Sequence, residues 1–327
     1  VEKNIGIGFE CGYGMGSNAT DNILIGYQCG YGTSSSDSIT ISKLGDNLNG
    51  TNQYQYYGYS VSSTSTDPYK IVIGSPRQNN GNLRYAGCVK IYYYDTDNWI
   101  LEKEILGTNS YTYLGHAVKI SSDGTHLVIG SPYERGPNNS WGSGSLRIYK
   151  YNEGDWHIQQ IQQPTTNIKQ YIFYGGYREY SSLNVDISSD GSAIIQGGYG
   201  DYNYSSRLYY QGKVRYWRYN TSGYWELKGT FISGLTKSVY DVLSSGDKSA
   251  KNSFRASYVS VSGDGLTLAI GIPGYSSDTS IRTGSVVIYT YNISESTLST
   301  LSDTTHRLTG ENRYDYFGTS LALDKSG

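Results

Sequence analysis

Leu114-Gly-His-Ala-Val118 followed by Ser122-Asp-Gly-Thr-His-Leu-Val-Ile-Gly-Ser-Pro132 reads as two short apolar strands joined by a turn. Asp-Gly between two such runs is a strong tight-hairpin signal, because both residues tolerate the positive φ that a two-residue turn needs. Downstream, Gly144-Ser-Leu-Arg-Ile-Tyr149 alternates again, and Trp156 opens a fourth run. These four features recur in the same order along the chain. The first returns as Tyr57-Gly-Tyr-Ser-Val61 and Phe317-Gly-Thr-Ser-Leu321. The second returns as Ile71-Val-Ile-Gly-Ser-Pro76 and Gly263-Asp-Gly-Leu-Thr-Leu-Ala-Ile-Gly-Ile-Pro273. The third returns as Gly87-Cys-Val-Lys-Ile-Tyr92, Gly212-Lys-Val-Arg-Tyr-Trp217 and Gly284-Ser-Val-Val-Ile-Tyr289, and the fourth at Trp99 and Trp225.

Gly87, Gly144, Gly212 and Gly284 lie 57, 68 and 72 residues apart. Four period-2 strands per repeat, punctuated by turns, is the pattern of a β-propeller blade. The expected fold is therefore all-β, with four full blades at residues 43–105, 106–160, 161–229 and 230–301 and the start of a fifth at 302–327. Propellers close with about four to eight blades. The last residues, Asp324-Lys-Ser-Gly327, fall where the fifth blade should turn into its second strand, so the intact protein is expected to be longer. Residues 1–42 carry a shorter period. Asn4-Ile-Gly-Ile-Gly-Phe-Glu-Cys-Gly-Tyr-Gly14 recurs 18 residues later as Asn22-Ile-Leu-Ile-Gly-Tyr-Gln-Cys-Gly-Tyr-Gly32, and Ser38-Ile-Thr-Ile-Ser42 is a third, weaker copy. Each copy is one short strand and a Gly-rich turn. A unit that small cannot bury its own face, so the copies must stack on one another, or on other chains, as a β-roll.

Composition agrees and excludes several classes. The 327 residues include 36 Tyr and 41 Gly but only 6 Pro, and 17 % are charged, against about a quarter in ordinary domains. Such a chain is poor in helix formers and rich in residues that suit a pleated surface. A net charge of −2 gives no basic footprint for nucleic acid. No apolar run approaches the ~18 residues of a membrane helix. Three cysteines form neither a disulfide scaffold nor a zinc pattern.

The long repeat resembles the FG-GAP family of β-propellers, which includes the integrin α-chain head. Phe317-Gly318 and the Ile-Gly-x-Pro elements carry the likeness, and closer still are the many-copy propeller proteins of large DNA viruses and marine microbes. The short repeat resembles units of phage tail fibres and trimeric bacterial adhesin heads, which implies self-association through residues 1–42 as a trimer. The third repeat departs from the pattern, with Ser182 in place of the first glycine and Ile195-Gln-Gly-Gly198 in place of Ile-Gly-x-Pro; the fourth has Ala256 at the first glycine.

Catalytic patterns are absent from the sequence. His116, His126, His157 and His306 fall in no metal or triad spacing, and no paired carboxylates or nucleophile motif accompany them. The turns lack the spacing and the Trp of a sialidase-type motif. The hairpins Ser121-Ser-Asp-Gly124, Ser188-Ser-Asp-Gly191 and Ser262-Gly-Asp-Gly265 each hold one carboxylate, too few for the six to eight oxygens of Ca²⁺. We therefore expect no enzyme, cofactor or metal site.

The loops between second and third strands, 77–86, 133–143, 198–211 and 274–283, emerge on one face of such a fold. That face carries Arg77, Arg84, Tyr85, Tyr133, Arg135, Trp141, Tyr199, Tyr202, Tyr204, Tyr209 and Tyr275. Rigid aromatics with Arg suit sugar stacking and protein hot spots alike; packing of loops against blades is the competing role. Cys11 and Cys29 hold the same place in adjacent short repeats. Neighbouring rungs bring equivalent Cα atoms to about 4.8 Å, within disulfide reach, while filling a small buried slot is the favoured reading. Sequons stand at Asn18, Asn49, Asn138, Asn203, Asn220 and Asn292, permitting glycosylation in a secreted setting. The expected function is non-enzymatic attachment at an extracellular, cell or virion surface, with a propeller presented to a glycan or protein receptor and multiple copies raising avidity. The alternative is a structural subunit of an extracellular filament, sheath or capsid surface.

Overall fold

A computed structural model describes residues 5–7, 23–25, 45–134, 144–162, 184–199, 212–233, 258–275, 283–294, 297–300 and 307–324. The chain divides into two compact units, residues 1–47 with 96–98, and residues 48–95 with 99–327. In the first, β1 (Ile5–Ile7) and β2 (Ile23–Ile25) pair in parallel, Ile5 opposite Ile23 and Ile7 opposite Ile25. The 18-residue period of the sequence is thus the register of the pairing, so each residue meets its own equivalent. Cys11, Cys29 and the third short copy lie outside the described residues.

The second unit holds four antiparallel four-stranded sheets, and no helix occurs among the described residues. Sheet 1 comprises β3 (Ser60–Ser63), β4 (Lys70–Ser75), β5 (Cys88–Asp95) and β6 (Asn98–Leu106). Sheet 2 comprises β7 (Ala117–Ile120), β8 (His126–Ser131), β9 (Ser145–Asn152) and β10 (Asp155–Gln162). Sheet 3 comprises β11 (Asn184–Ile187), β12 (Ala193–Tyr199), β13 (Gly212–Tyr219) and β14 (Trp225–Ser233). Sheet 4 comprises β15 (Tyr258–Val261), β16 (Thr267–Ile272), β17 (Ser285–Asn292) and β18 (Thr297–Thr300), and β19 (Leu308–Thr309) pairs with β17. The strands of sheets 1 and 2 are the four recurring sequence features in order, and sheets 3 and 4 repeat the same strand order with the first glycine replaced in both and no Trp opening β18. Among the described residues the sheets do not join into a closed ring.

The apolar core lies between consecutive sheets. Val72, Val89 and Ile91 of sheet 1 pack with Val118, Leu127 and Trp156 of sheet 2. Val128, Leu146 and Ile148 of sheet 2 pack with Val185, Ile194 and Trp225 of sheet 3. Ile195, Val214 and Tyr216 of sheet 3 pack with Val259, Leu268 and Tyr291 of sheet 4. Val118, Val185 and Val259 are thereby 4–9 % exposed, whereas Val61, at the same place in sheet 1, is 56 % exposed.

One aromatic pair repeats in sheets 1 to 3. Tyr94–Trp99, Tyr151–Trp156 and Tyr219–Trp225 each bring ring centroids to 5.1–5.4 Å. The Trp indole N–H reaches the preceding sheet: Trp156 donates to Glu102 Oε2 (2.8 Å) and Trp225 to Gln159 Oε1 (3.3 Å). Under the second and third pairs sits the first residue of the preceding sheet's second strand. Lys70 Nζ lies 3.6 Å from the Tyr151 ring centre and bonds Glu102 at 2.7 Å. His126 lies under Tyr219 and Trp225, at centroid distances of 6.0 and 6.1 Å. The recurring Trp is therefore an inter-sheet latch.

The first strands lie side by side, β3 by β7, β7 by β11 and β11 by β15, and line a cavity of about 510 Å³. A hydrogen bond recurs across them. Ile120 N–H donates to Ser62 Oγ (3.1 Å), Val261 N–H to Asp186 Oδ2 (3.0 Å) and Leu323 N–H to Ser260 Oγ (3.1 Å). At the remaining junction the acceptor position is Lys119, which cannot accept. Its ammonium instead pairs with Asp186 at 3.2 Å, and Asp186 Oδ1 accepts the Ile187 N–H of its own strand.

Glycines bring the backbones of consecutive sheets together. A Cβ on Gly74 would stand 2.1 Å from the Gly115 carbonyl oxygen, and one on Gly271 2.1 Å from that of Gly318. Pairing also corrects the register of the third repeat. Gly197 lies opposite Asn184 as Gly130 lies opposite Ala117. The glycine is therefore kept, and the departures are Gln196 for Ile and Tyr199 for Pro. Gln196, buried, accepts the Trp217 indole N–H at 3.3 Å.

Two outcomes follow for stability. Gly74→Ala must displace backbone, whereas Gly58→Ala, at φ +83° with nothing within 4 Å, incurs only left-handed strain of about 1–2 kcal/mol. Urea unfolding should show Gly74→Ala to be the more destabilising by at least ~2 kcal/mol. Burial holds the His126 imidazole below its ordinary pKa of 6.5, against the nearby Asp123 carboxylate. The unfolded chain then takes up the proton more readily, so this group's contribution is present above pH 6.5 and is lost as pH falls. Urea midpoints compared at neutral pH and near pH 5 should fall less for His126→Gln than for the wild type.

Candidate functional site

The entry to each first strand is built by a string, Tyr-x-Tyr-apolar-Gly, at 54–58, 111–115 and 314–318. Both tyrosines of each copy take left-handed backbone, with φ of 62° and 56°, 63° and 55°, and 67° and 51°. The middle residue of the first two copies turns inward. Gln55 and Thr112 are 4 % and 1 % exposed, and Thr112 Oγ1 donates to the Ala86 carbonyl at 2.6 Å. Flanking tyrosines point outward: Tyr54 is 74 %, Tyr56 43 %, Tyr111 44 % and Tyr314 46 % exposed.

This string is zipped to the preceding sheet's loop. Tyr111, Tyr113 and Leu114 N–H groups donate to the carbonyls of Arg84, Tyr85 and Ala86 at 2.7, 3.1 and 3.1 Å. The sequence-predicted loop residues therefore meet the tyrosines of the next repeat. Tyr85, itself at φ 48°, stacks on Tyr113 and meets Tyr111 edge-on, both at 5.7 Å between centroids. Tyr113 continues to Tyr133 at 4.8 Å. On the other side, the Arg77 guanidinium lies 4.4 Å from the Tyr56 ring centre and 5.8 Å from that of Tyr85, and donates to Tyr56 Oη at 3.0 Å. Tyr59 stacks on Tyr56 at 6.3 Å and meets His116 at 4.8 Å. Burial raises the Tyr113 phenol pKa, while the Arg77 charge pulls it the other way. The result is a ribbon of aromatic rings with one arginine set into it.

A second locus lies at the other end of the repeats. Arg307 sits over the Tyr275 ring at 4.7 Å and Arg313 over Tyr314 at 5.5 Å. Of the expected face, Arg77, Tyr85 and Tyr133 join the ribbon, Tyr275 joins the second locus, and Arg84 is exposed beside Tyr85. Arg135, Trp141, Tyr202, Tyr204 and Tyr209 lie outside the described residues, as does the side chain of Tyr199, which ends β12. Tyr54, Tyr56, Tyr59, Tyr111, Tyr113 and His116 were not on the expected face. Threefold recurrence of Tyr-x-Tyr-apolar-Gly was the signal that points to the tyrosines.

The remaining chemistry is structural. Asp123, Asp190 and Asp264 each accept a Ser hydroxyl, from Ser121, Ser188 and Ser262, and a backbone N–H two residues on. Those carboxylates close turns. His116, His126 and His157 lie apart, the last exposed on β10, and His306 is outside the described residues. Among the described residues no three His, Cys, Asp or Glu side chains converge. Arg147 and Glu134 form a buried pair at 2.7 Å, and Ser145 Oγ donates to the same carboxylate. Of the sequons, Asn49 and Asn292 are exposed, and the Asn220 carboxamide oxygen accepts the Ser222 and Tyr224 N–H groups in a turn. Asn18, Asn138 and Asn203 lie outside the described residues.

No family model matches the chain, and no curated protein sequence does. Among solved structures the chain is similar to a putative 6-phosphogluconolactonase from Bacteroides uniformis, with a TM-score of 0.46 and 12 % identity over 78 % of this chain and 56 % of that one. It is also similar to a complex of KlAtg21 with the coiled coil of AgAtg16, with a TM-score of 0.43 and 8 % identity over 77 % and 58 % of the two chains. The chain thus spans under three fifths of the length of each.

The Tyr54 position separates strain from contact. With its ring 74 % exposed and φ at 62°, Tyr54→Gly removes left-handed strain of about 1–2 kcal/mol and adds glycine's backbone entropy of about 0.5–1 kcal/mol. Thermal unfolding should show Tyr54→Gly as stable as the wild type or more so.

Proposed function

We propose that residues 43–327 are blades of an FG-GAP-type β-propeller and that the protein is a non-enzymatic attachment protein of an extracellular, cell or virion surface. The propeller reading is supported by side-by-side first strands around one cavity and by the same face-to-face packing at each of three junctions. The short repeat is the proposed self-association element, as a trimer. The Tyr–Arg face is the part presented to a glycan or protein receptor.

One observation carries this reading. Exposed tyrosines occupy left-handed positions in three repeats, where glycine or asparagine would sit with less strain. A buried ring recovers such a cost through apolar burial of about 25 cal/mol per Å². Tyr54, three-quarters exposed, recovers little within the chain. The benefit then lies in what the ring touches outside it. Tyrosine suits that use, because it offers large, rigid, amphipathic contact area with only two χ angles to fix.

The test is binding of the full chain to cells and to a glycan array, alongside Tyr54→Gly, Tyr111→Gly and Tyr314→Gly combined. Loss of about tenfold or more in apparent affinity, with the thermal midpoint held, is the expected result. Wild-type binding by the triple variant would overturn the proposal.

A further inference from the structure

We infer that the ribbon centred on Arg77 takes an acidic glycan, seating a sugar carboxylate or sulfate on the Arg77 guanidinium. This rests on the reading of that face as a binding surface and adds the chemical class of the ligand.

Several described cations pair with carboxylates, and Arg77 is not among them. Lys70 pairs with Glu102, Lys103 with Asp155, Lys119 with Asp186 and Arg147 with Glu134, all at 2.7–3.2 Å. Arg77 has no carboxylate partner among the described residues. Its side chain makes one hydrogen bond there, to Tyr56 Oη, and lies against two rings. A guanidinium carries five N–H donors in a planar fork that matches carboxylate and sulfate oxygens in pairs. Most of that fork is unspent, and the rings beneath it hold its plane.

Composition of the surrounding segments points the same way. Residues 50–60, 76–87 and 107–116 contain no Asp or Glu, in a chain whose net charge is −2. They contain Arg77 and the exposed Arg84. The second locus differs: Arg307 and Arg313 there are accompanied by Glu311 and Asp315. Selectivity for an anion is therefore assigned to the first ribbon alone.

Glycan is favoured over other polyanions by what else lines the ribbon. Tyr rings with exposed faces, among Asn, Gln, Ser and Thr, suit sugar faces and hydroxyls. Tyr and Arg serve protein partners too, but the aliphatic residues of these segments are Leu83, Ala86 and Leu114, and with Ala86 and Leu114 fully buried little aliphatic surface is left for the apolar core of a protein interface. Two arginines give too few phosphate contacts to hold nucleic acid at ordinary salt.

The experiment is affinity electrophoresis of the full chain in gels containing polygalacturonate, dextran sulfate or neutral dextran. Retardation by the two acidic polymers, about tenfold weaker with dextran and reduced by added salt, is expected. Arg77→Gln should abolish the difference, Arg77→Lys should restore part of it, and Lys228→Gln, at a cation already paired with Glu226, should leave it unchanged; circular dichroism checks that each variant is folded. Equal retardation by dextran, or wild-type behaviour of Arg77→Gln, overturns the acidic-glycan inference while the Tyr54→Gly effect on cell binding still stands. Retardation by none of the polymers, with cell binding intact and sensitive to the tyrosine changes, overturns it in favour of a protein receptor. Cell binding indifferent to the tyrosines removes the binding face itself.

Discussion

No sheet of this protein buries its own two faces, and that constraint shapes everything else. A four-stranded sheet standing alone exposes apolar side chains on both sides. Here the remedy is the next repeat, so the core is a series of junctions. The first two junctions close in the same way, with a Tyr–Trp pair from one sheet laid over the opening residue of the preceding sheet's second strand, and at the third Tyr291 packs on Tyr216. The contrast between Val61 at 56 % exposure and Val118 at 4 % shows what a missing neighbour does to an otherwise equivalent position.

Some buried polar groups at the junctions have a counterpart across them. Lys70 is buried, yet its ammonium has Glu102 on one side and the Tyr151 ring on the other, and Glu102 also accepts the Trp156 indole N–H. In the next junction His126 replaces Lys70 and Gln159 replaces Glu102 as acceptor for Trp225. Burial lowers the pKa of the His126 imidazole, and a neutral amide takes the place of the carboxylate as acceptor for the indole N–H; a charge left alone at such a depth costs several kcal/mol. In the third junction Tyr216, fully buried with its phenol pushed up to about 12 by burial, donates to the Gly265 carbonyl at 2.6 Å. The scaffold is conserved in geometry while its buried chemistry varies from junction to junction.

Strand existence and order were legible in the sequence because period-2 alternation and Asp-Gly turns report directly on pleat and hairpin. Trp99, Trp156 and Trp225 stand within the first two residues of β6, β10 and β14. What alternation alone does not show is which partner an outward residue meets. Ser62, Lys119, Asp186 and Ser260 look like ordinary solvent-side positions, yet they line the cavity and three of them cap a neighbouring strand's N–H. In the third repeat, aligning on Ile195 puts Gln196 at the glycine place, and only the pairing of β11 with β12 shows that Gly197 holds it. The Tyr-x-Tyr entries escaped notice for a different reason. Positive φ has no periodicity, and tyrosine is not a residue that announces it.

Those entries link scaffold to site. The apolar-Gly step after the second tyrosine must deliver backbone against backbone, Leu114 onto Gly87 and Gly115 onto Gly74. Reaching that contact from the preceding strand requires a sharp reversal, and two left-handed residues supply it. The junction therefore needs the turn, but it does not need the rings. Any residue tolerant of positive φ satisfies the packing, and glycine would do so with least strain. Tyrosine stands there instead in three copies, with Tyr54 74 % and Tyr56, Tyr111 and Tyr314 43–46 % exposed. The same turn that locks one sheet to the next also aims two tyrosines outward beside the preceding loop. Face and fold thus share a backbone, and any loosening of a glycine contact would displace the rings it positions.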